Sequence, residues 1–224
     1  MTHLLAPVDE FLRGQGRFAV GTEPVGRTRH LVAFIVVFGM AYGAVMASFS
    51  GLAPGRYHQM LYVGIKVPLL LLVTSLLCLP SFFIVNTVAG LREDFREALH
   101  AVLAGQACVT IALAALAPVT ALCYISTPNY NVAVLFNAAM FTVAAAAAQV
   151  VMRRYYSPLI GRSPRHRGML LFWFFLYAFV GIEMGWVLRP FIGDPNAPVA
   201  FFRPDAWGNA YVVVARLVGR TLQP

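Results

Sequence analysis

The sequence contains few charged residues and almost no lysine. Charged side chains make up 12% of the 224 residues, against roughly 25% in a typical soluble globular domain. Lys66 is the single lysine, and the other basic residues are arginines. With 59% hydrophobic residues and a mean hydropathy of +0.71, the chain has more apolar surface than one small core can bury. These values exclude an ordinary soluble protein and predict a polytopic membrane protein.

Catalytic and metal-binding motifs are also absent from the sequence. It has no Gly-x-Ser-x-Gly elbow, no His-Glu-x-x-His and no Gly-x-x-x-x-Gly-Lys. Cys78, Cys108 and Cys123 lie in apolar segments without a Cys-x-x-Cys pair or a histidine at ligand spacing. We therefore interpret the cysteines as core residues, and we expect no enzyme activity, no metal and no cofactor.

Five apolar segments have the length of membrane-spanning helices, which need about 20 residues to cross about 30 Å of hydrocarbon. The spans are predicted at 31–51, 60–80, 101–124, 131–152 and 168–190. The second span is able to continue through Pro80 to Gly90, with a kink at the proline. The fold class predicted is an all-α bundle of five transmembrane helices with short interfacial helices.

The net charge of +8 comes mainly from arginines beside the apolar spans, which is typical of membrane anchors and not of nucleic-acid binding. Arginines are frequent in residues 1–30 and in the loops 91–100 and 153–167, and rare in the two alternate loops. The positive-inside rule then predicts a cytoplasmic N-terminus and an extracytoplasmic C-terminus. The excess of Arg over Lys, together with abundant Ala, is typical of GC-rich bacterial genomes, so we expect the bacterial inner membrane.

Three parts of the chain follow from this pattern: a cytoplasmic tail (1–30), the five-helix domain (31–190) and an extracytoplasmic segment (191–224). The sequence of the tail predicts either a short amphipathic helix at the membrane surface or a disordered segment. In the last part, residues 209–220 are too short to span the bilayer. They predict an interfacial helix, with a β-strand over 211–214 as the alternative.

Small residues recur every four positions in the first span, and such a stripe allows another helix to approach closely. The stripe consists of Gly39, Gly43, Ala47 and Gly51, and the last span has a similar pair, Gly181 and Gly185. Packing within the bundle is the favoured interpretation. Self-association or binding of a partner helix is the alternative, and the two stripes are able to face each other.

Lys66 and Glu183 are the two ionisable residues inside the spans, where a charge costs at least about 3 kcal/mol unless it is paired or hydrated. Each lies roughly 10 Å from the predicted outer surface, counted at 1.5 Å per residue. We expect an ion pair between the second and fifth spans. The alternative is that Glu183, with Asn137 or Tyr177, binds a cation or relays protons.

The inner loop 153–167 is the most basic part of the chain. Its arginines should attract anionic headgroups at about 1 kcal/mol per residue near the membrane surface. We therefore expect contacts with membrane lipids from Arg153, Arg154, Arg162, Arg165 and Arg167.

A second feature of the inner side is the segment from Gly90 to Ala107. It predicts an amphipathic helix that continues into the third span, because Leu91, Phe95, Leu99 and Val102 recur at helical spacing. The segment contains a glycine, a basic residue and the run Phe95-Arg96-Glu97-Ala98-Leu99, and it leads into a small-residue span with Pro118. This pattern resembles the Yip1-like membrane proteins. Their cytoplasmic tail and five helices also match, whereas the 34-residue outer segment of this chain departs from their plan. The resemblance implies a membrane-embedded protein that organises partners without catalysis, and it implies no site residues.

These features together favour a non-catalytic protein that binds or organises partner membrane proteins, or a second copy of itself, in a complex. A small transporter or channel subunit with Glu183 and Lys66 on its pathway is the alternative.

Overall fold

A computed structural model of the chain describes residues 2–19, 24–50, 56–193 and 199–202. Within these ranges the chain forms six α-helices and no strand. The helices are α1 (Thr2–Arg13), α2 (Pro24–Ala47), α3 (Tyr57–Val88), α4 (Phe95–Ser126), α5 (Tyr130–Arg162) and α6 (Arg165–Leu188). Helices α2 to α6 are long and apolar enough to cross a membrane, so the prediction of an all-α fold with five such helices is confirmed.

The helices are longer than the predicted spans at the arginine-rich end of the molecule, which carries Arg92, Arg96, Arg153 and Arg162. Helix α3 continues through Pro80 to Val88, and α4 begins at Phe95. The amphipathic helix predicted after Gly90 therefore forms one helix with the third span. Hydropathy marks only the apolar part of such a helix, whereas the hydrogen-bonded backbone extends beyond the hydrocarbon.

Local sequence signals explain two of the helix ends. Gly90 has a φ of +73°, a conformation that favours glycine, and the Leu91 amide donates to the Asn86 carbonyl at 2.8 Å to close the end of α3. At the start of α5, the Asn129 side chain accepts from the amides of Asn131 and Val132 at 3.0 and 3.3 Å. An asparagine N-cap thus begins the helix.

Helix α1 packs against the bundle. Phe11 is fully buried, and its ring centroid lies 5.5 Å from that of Phe18 and 5.9 Å from that of Phe34. The Arg154 guanidinium donates to the Leu12 carbonyl at 2.7 Å. Of the two predicted states of the tail, the structure has the helix, and α2 begins at Pro24 inside the segment predicted as tail.

The five long helices form a curved row in the order α6, α3, α2, α4, α5. Helix α2 packs against both α3 and α4, while α5 covers α4 and α6 covers α3. The two end helices meet mainly near their connection, where the ring centroids of Tyr156 and His166 are 5.8 Å apart. Because α5 and α6 pack against each other so little, a cavity remains between them at mid-height.

Candidate functional site

The glycine stripe of α2 packs against α3 within the chain. A Cβ atom at Gly43 would lie 2.9 Å from the Gly64 Cα atom, and one at Gly39 would lie 3.3 Å from the Pro68 side chain. Ala47 is fully buried, and Gly51 lies outside the described residues. The stripe is therefore occupied by the chain's own third helix.

The small residues of α6 have different surroundings. A Cβ atom at Gly181 would lie 3.7 Å from the Thr74 side chain of α3, whereas one at Gly185 would meet no atom of the described residues within 4 Å. The stripe of α2 and Gly181 thus both contact α3, through different residues, and not each other.

Lys66 is fully buried and bonds to the chain just beyond α6. Its ammonium donates to the Pro190 carbonyl at 2.9 Å and lies 4.9 Å from the centroid of the Phe201 ring. Phe191 and Ile192, which follow Pro190, pack into the apolar cluster at the same end of the bundle. Lys66 therefore links α3 to the beginning of the predicted extracytoplasmic segment.

The register between α3 and α6 sets the heights of Lys66 and Glu183. Thr74 lies beside Gly181, and the Cys78 thiol donates to the Leu176 carbonyl at 3.8 Å. In antiparallel helices this register places Lys66 level with residues 188–189, so Glu183 lies about five to six residues, roughly 8–9 Å, along the axis. The ion pair between Lys66 and Glu183 stays a prediction.

Asn137 belongs to a hydrogen-bond network among three helices. It accepts from the Tyr42 hydroxyl at 3.0 Å, and its amide nitrogen donates to the Tyr124 oxygen at 2.5 Å and to the Ala133 carbonyl at 2.7 Å. These bonds join α2, α4 and α5, which is the usual task of an amide inside a membrane bundle. Tyr177, the other residue suggested beside Glu183, donates instead to Gln106.

Three of the five arginines of the basic loop bond to other parts of the chain. Arg154 and Arg165 donate to the carbonyls of Leu12 and Ala89 at 2.7 and 3.1 Å, and Arg162 bonds to two acidic residues. Arg153 and Arg167 are exposed. Contacts of the five arginines with anionic lipids stay a prediction.

An acidic cluster beside this loop escaped the sequence reasoning. Asp94 accepts from the Arg162 guanidinium at 2.8 Å, and its other oxygen lies 3.0 Å from Nε2 of the fully buried His166. Glu97 also lies 3.1 Å from Arg162. These residues join the α3–α4 connection to the α5–α6 connection. The partners are separated by about 70 positions, so no local pattern indicates them.

One feature with the character of a binding site is a cavity of about 560 Å³ among α3, α4, α5 and α6, which we call the midplane cavity. Its lining residues lie within the apolar parts of these helices, at 70–74, 102–109, 141–152 and 173–182. Most of them are apolar, and none is charged. The polar ones are Thr74, Gln106, Thr142, Gln149 and Tyr177.

Three of these polar residues, Thr74, Gln106 and Tyr177, form what we call the polar floor of the midplane cavity. The Tyr177 hydroxyl donates to Gln106 Oε1 at 3.1 Å, and the donors of the same amide are the two N–H groups on its nitrogen. The Thr74 hydroxyl is buried and has no hydrogen-bond partner among the residues that the structure describes. The sequence signal for this floor was a glutamine inside an apolar span, but only the packing of α6 on α3 brings Tyr177 to it.

A scan against protein-family models and searches of curated proteins and solved structures found no match to this chain. The resemblance to Yip1-like proteins stays a prediction, and the function has to be argued from the geometry.

Proposed function

We propose that this chain is a non-catalytic integral membrane protein that binds or organises partner membrane proteins in a complex. The docking helix in this proposal is α6. The observation that supports it is the position of α6 at the end of the helix row, where it packs mainly along α3 and has few buried residues of its own.

One exposed side of α6 carries the large side chains Leu171 and Phe175, which we call the α6 stripe. They are spaced four residues apart, so they share one face of the helix. Their exposed fractions are 60% and 67%. Helix association in lipid depends on van der Waals packing and not on a hydrophobic driving force. A helix with one well-packed side therefore gains most from a second neighbour.

The glycine stripe of α2 is less suited to the same task. Gly39, Gly43 and Ala47 already pack within the chain, and a partner helix would have to displace α3. The proposal therefore assigns partner binding to α6 and intramolecular packing to the glycines.

The alternative, a small transporter or channel subunit that uses Glu183 and Lys66, has weaker support. Lys66 bonds to a carbonyl of its own chain, which gives it an anchoring role. Asn137 and Asn86 also bond to groups of this chain, and the midplane cavity is lined mainly by apolar side chains. A water-filled pathway needs a more continuous polar lining.

We further propose that the membrane is the bacterial inner membrane, with the N-terminus cytoplasmic and the C-terminus extracytoplasmic. The clustering of α1, the α3–α4 connection and the α5–α6 connection at the arginine-rich end supports this orientation, because cytoplasmic loops carry an excess of Arg and Lys. The exposed Arg153 and Arg167 would then face anionic headgroups.

The test is a photo-crosslinking amino acid incorporated in place of Phe175 in living cells. The control replaces Val37, which is 62% exposed and lies on α2, a central helix of the row. We expect a discrete protein adduct of fixed mass from position 175 and lipid adducts alone from position 37. The absence of a protein adduct at position 175, or the same adducts at both positions, would contradict docking on α6.

A further inference from the structure

We propose that the midplane cavity binds the ring of an isoprenoid quinone, with the isoprenoid tail extending into the bilayer between α5 and α6. This proposal is independent of partner docking, since the residues of the α6 stripe do not line the cavity. It concerns binding alone and assigns no redox chemistry to the protein.

The depth of the cavity restricts its ligand. The lining residues lie within the apolar parts of four helices, so the polar floor lies inside a hydrocarbon core about 30 Å thick. Gln106 follows Glu97, the last acidic residue before it in α4, by about 14 Å along the helix axis. The charged headgroup of a phospholipid does not reach that depth without a large energetic cost. A quinone ring is uncharged and dissolves in the hydrocarbon, so it reaches the floor.

The size and charge of the cavity also favour a small uncharged ligand. Its volume of about 560 Å³ lies within the roughly 300–1,000 Å³ of small-molecule sites. A partner helix, about 10 Å wide and 30 Å long, is far too large to enter. The lining carries no charged side chain, which excludes a fixed counter-ion for a charged ligand.

The floor offers the hydrogen-bond donors that a quinone carbonyl needs. Gln106 is 6% exposed and its amide nitrogen carries two N–H donors, and the buried Thr74 hydroxyl has no partner among the described residues. The Thr74 hydroxyl loses free energy unless an acceptor reaches it. An acyl chain has no acceptor at this depth, whereas a quinone ring has two.

Aromatic side chains form a surface on which a flat ring can stack. The ring centroids of Trp173 and Tyr177 are 5.6 Å apart, with 32° between their planes, and both residues line the cavity beside Phe141 and Phe174. Offset stacking on such rings is a favourable arrangement for a planar ligand.

The tail needs an exit, and the weak contact between α5 and α6 provides one. Phe174 and Ile182 line the cavity and yet are 46% and 55% exposed, so they mark its lateral mouth. A ligand with a long apolar tail fits a cavity that opens directly into lipid.

The experiment measures quenching of Trp173 fluorescence in the full chain in detergent, with Trp186→Phe and Trp207→Phe removing the other tryptophans. The probe is a benzoquinone with a decyl tail, and the control probe is decylbenzene, which has no carbonyl group. We expect saturable quenching by the quinone alone. Gln106→Leu and Thr74→Val should each weaken its affinity about three- to tenfold, the effect of one lost hydrogen bond.

The matched control variant is Thr142→Val. Thr142 also lines the cavity, but its hydroxyl already donates to the Ala138 carbonyl at 2.8 Å, so the affinity should not change. As a measurement on the unaltered chain, an organic extract of protein purified in mild detergent should contain quinone in a fixed ratio to protein. Equal affinity for both probes, unchanged affinity in Gln106→Leu and Thr74→Val, or an extract that contains only phospholipid would overturn the proposal.

Discussion

Single residues in this bundle are explained by the neighbour that each one meets. A glycine in a membrane helix is needed where another backbone comes close and has no packing role where the space is open. Gly43 and Gly185 represent these two situations, since a Cβ atom would meet the backbone of Val63 and Gly64 at Gly43 and none of the described atoms within 4 Å at Gly185. The surroundings of Lys66 likewise explain its role. Its side chain is buried and bonds to the Pro190 carbonyl, in contrast to a lysine that extends to the membrane surface.

Replacing Gly43 by alanine should therefore destabilise the fold. The added methyl group would press against backbone atoms of α3, one of them at 2.9 Å, and helix backbones cannot move aside without shifting α2 from α3. Overpacking of this kind costs about 1–3 kcal/mol of unfolding free energy, which denaturation in mixed micelles with SDS would measure.

Gly185→Ala is the control for this prediction, because its Cβ atom would meet no atom within 4 Å in the part of the chain that the structure describes. We expect its unfolding free energy to stay the same or to rise by up to about 1 kcal/mol, the difference in helix propensity between the two residues. Equal unfolding free energies for the two variants would mean that the contact between α2 and α3 is not tight at Gly43.

At the scale of elements, the connections between helices are joined by the acidic cluster at the arginine-rich end. Asp94 stands before α4 and reaches both Arg162 at the end of α5 and His166 in the first turn of α6. Glu97, one turn into α4, contacts Arg162 alone. One carboxylate thus bonds to two helices that are distant in sequence, while the other takes part in a simpler surface pair.

Asp94→Asn should accordingly destabilise the protein more than Glu97→Gln. Asp94 is 22% exposed and bonds to the fully buried His166, so loss of its charge should cost about 1.5–3 kcal/mol. Glu97 and Arg162 are about half exposed, and such surface pairs contribute less than about 1 kcal/mol. Denaturation of both variants in the same detergent would rank them. A larger loss in Glu97→Gln would show that Arg162, and not His166, is the important partner.

At the scale of the whole molecule, the bundle has one basic end and one end with few charges. Helix α1 packs at the basic end, and the α5–α6 connection lies there too. The opposite end carries the α4–α5 connection, with its Asn129 cap. The positive-inside rule predicts the orientation of a membrane protein from such a difference in positive charge between its two ends.

Labelling of single cysteines should reveal the orientation that we propose. In a background without Cys78, Cys108 and Cys123, the variants Ser126→Cys and Gly161→Cys place one thiol at each end, at positions that are both exposed. A membrane-impermeant maleimide added to intact spheroplasts should label position 126 alone, and permeabilisation should add position 161. The reverse order would mean that the arginine-rich end faces outward.

The predictable part of this fold depended on features that are local in sequence. Five apolar runs of about 20 residues specified five helices, because backbone groups in hydrocarbon must bond within their own segment. The amphipathic pattern after Gly90 likewise indicated that α4 begins before the apolar span. The sequence also allowed the second span to continue through Pro80, and α3 extends to Val88. Hydropathy alone ended the fourth span at residue 152, whereas α5 extends to Arg162.

Only the tertiary structure decided which helices are neighbours. The sequence by itself determined the class of the protein, the number of its long helices and the polarity of its charges, since each follows from composition within a short window. It did not determine that α2 lies at the centre of the row, that Lys66 bonds to Pro190, or that Gln106, Tyr177 and Thr74 meet in a cavity. Lipid is as apolar as the helix surfaces, so hydropathy does not distinguish a face that packs from a face that meets lipid. Those choices rest on the fit of particular side chains across helices that are distant in the chain.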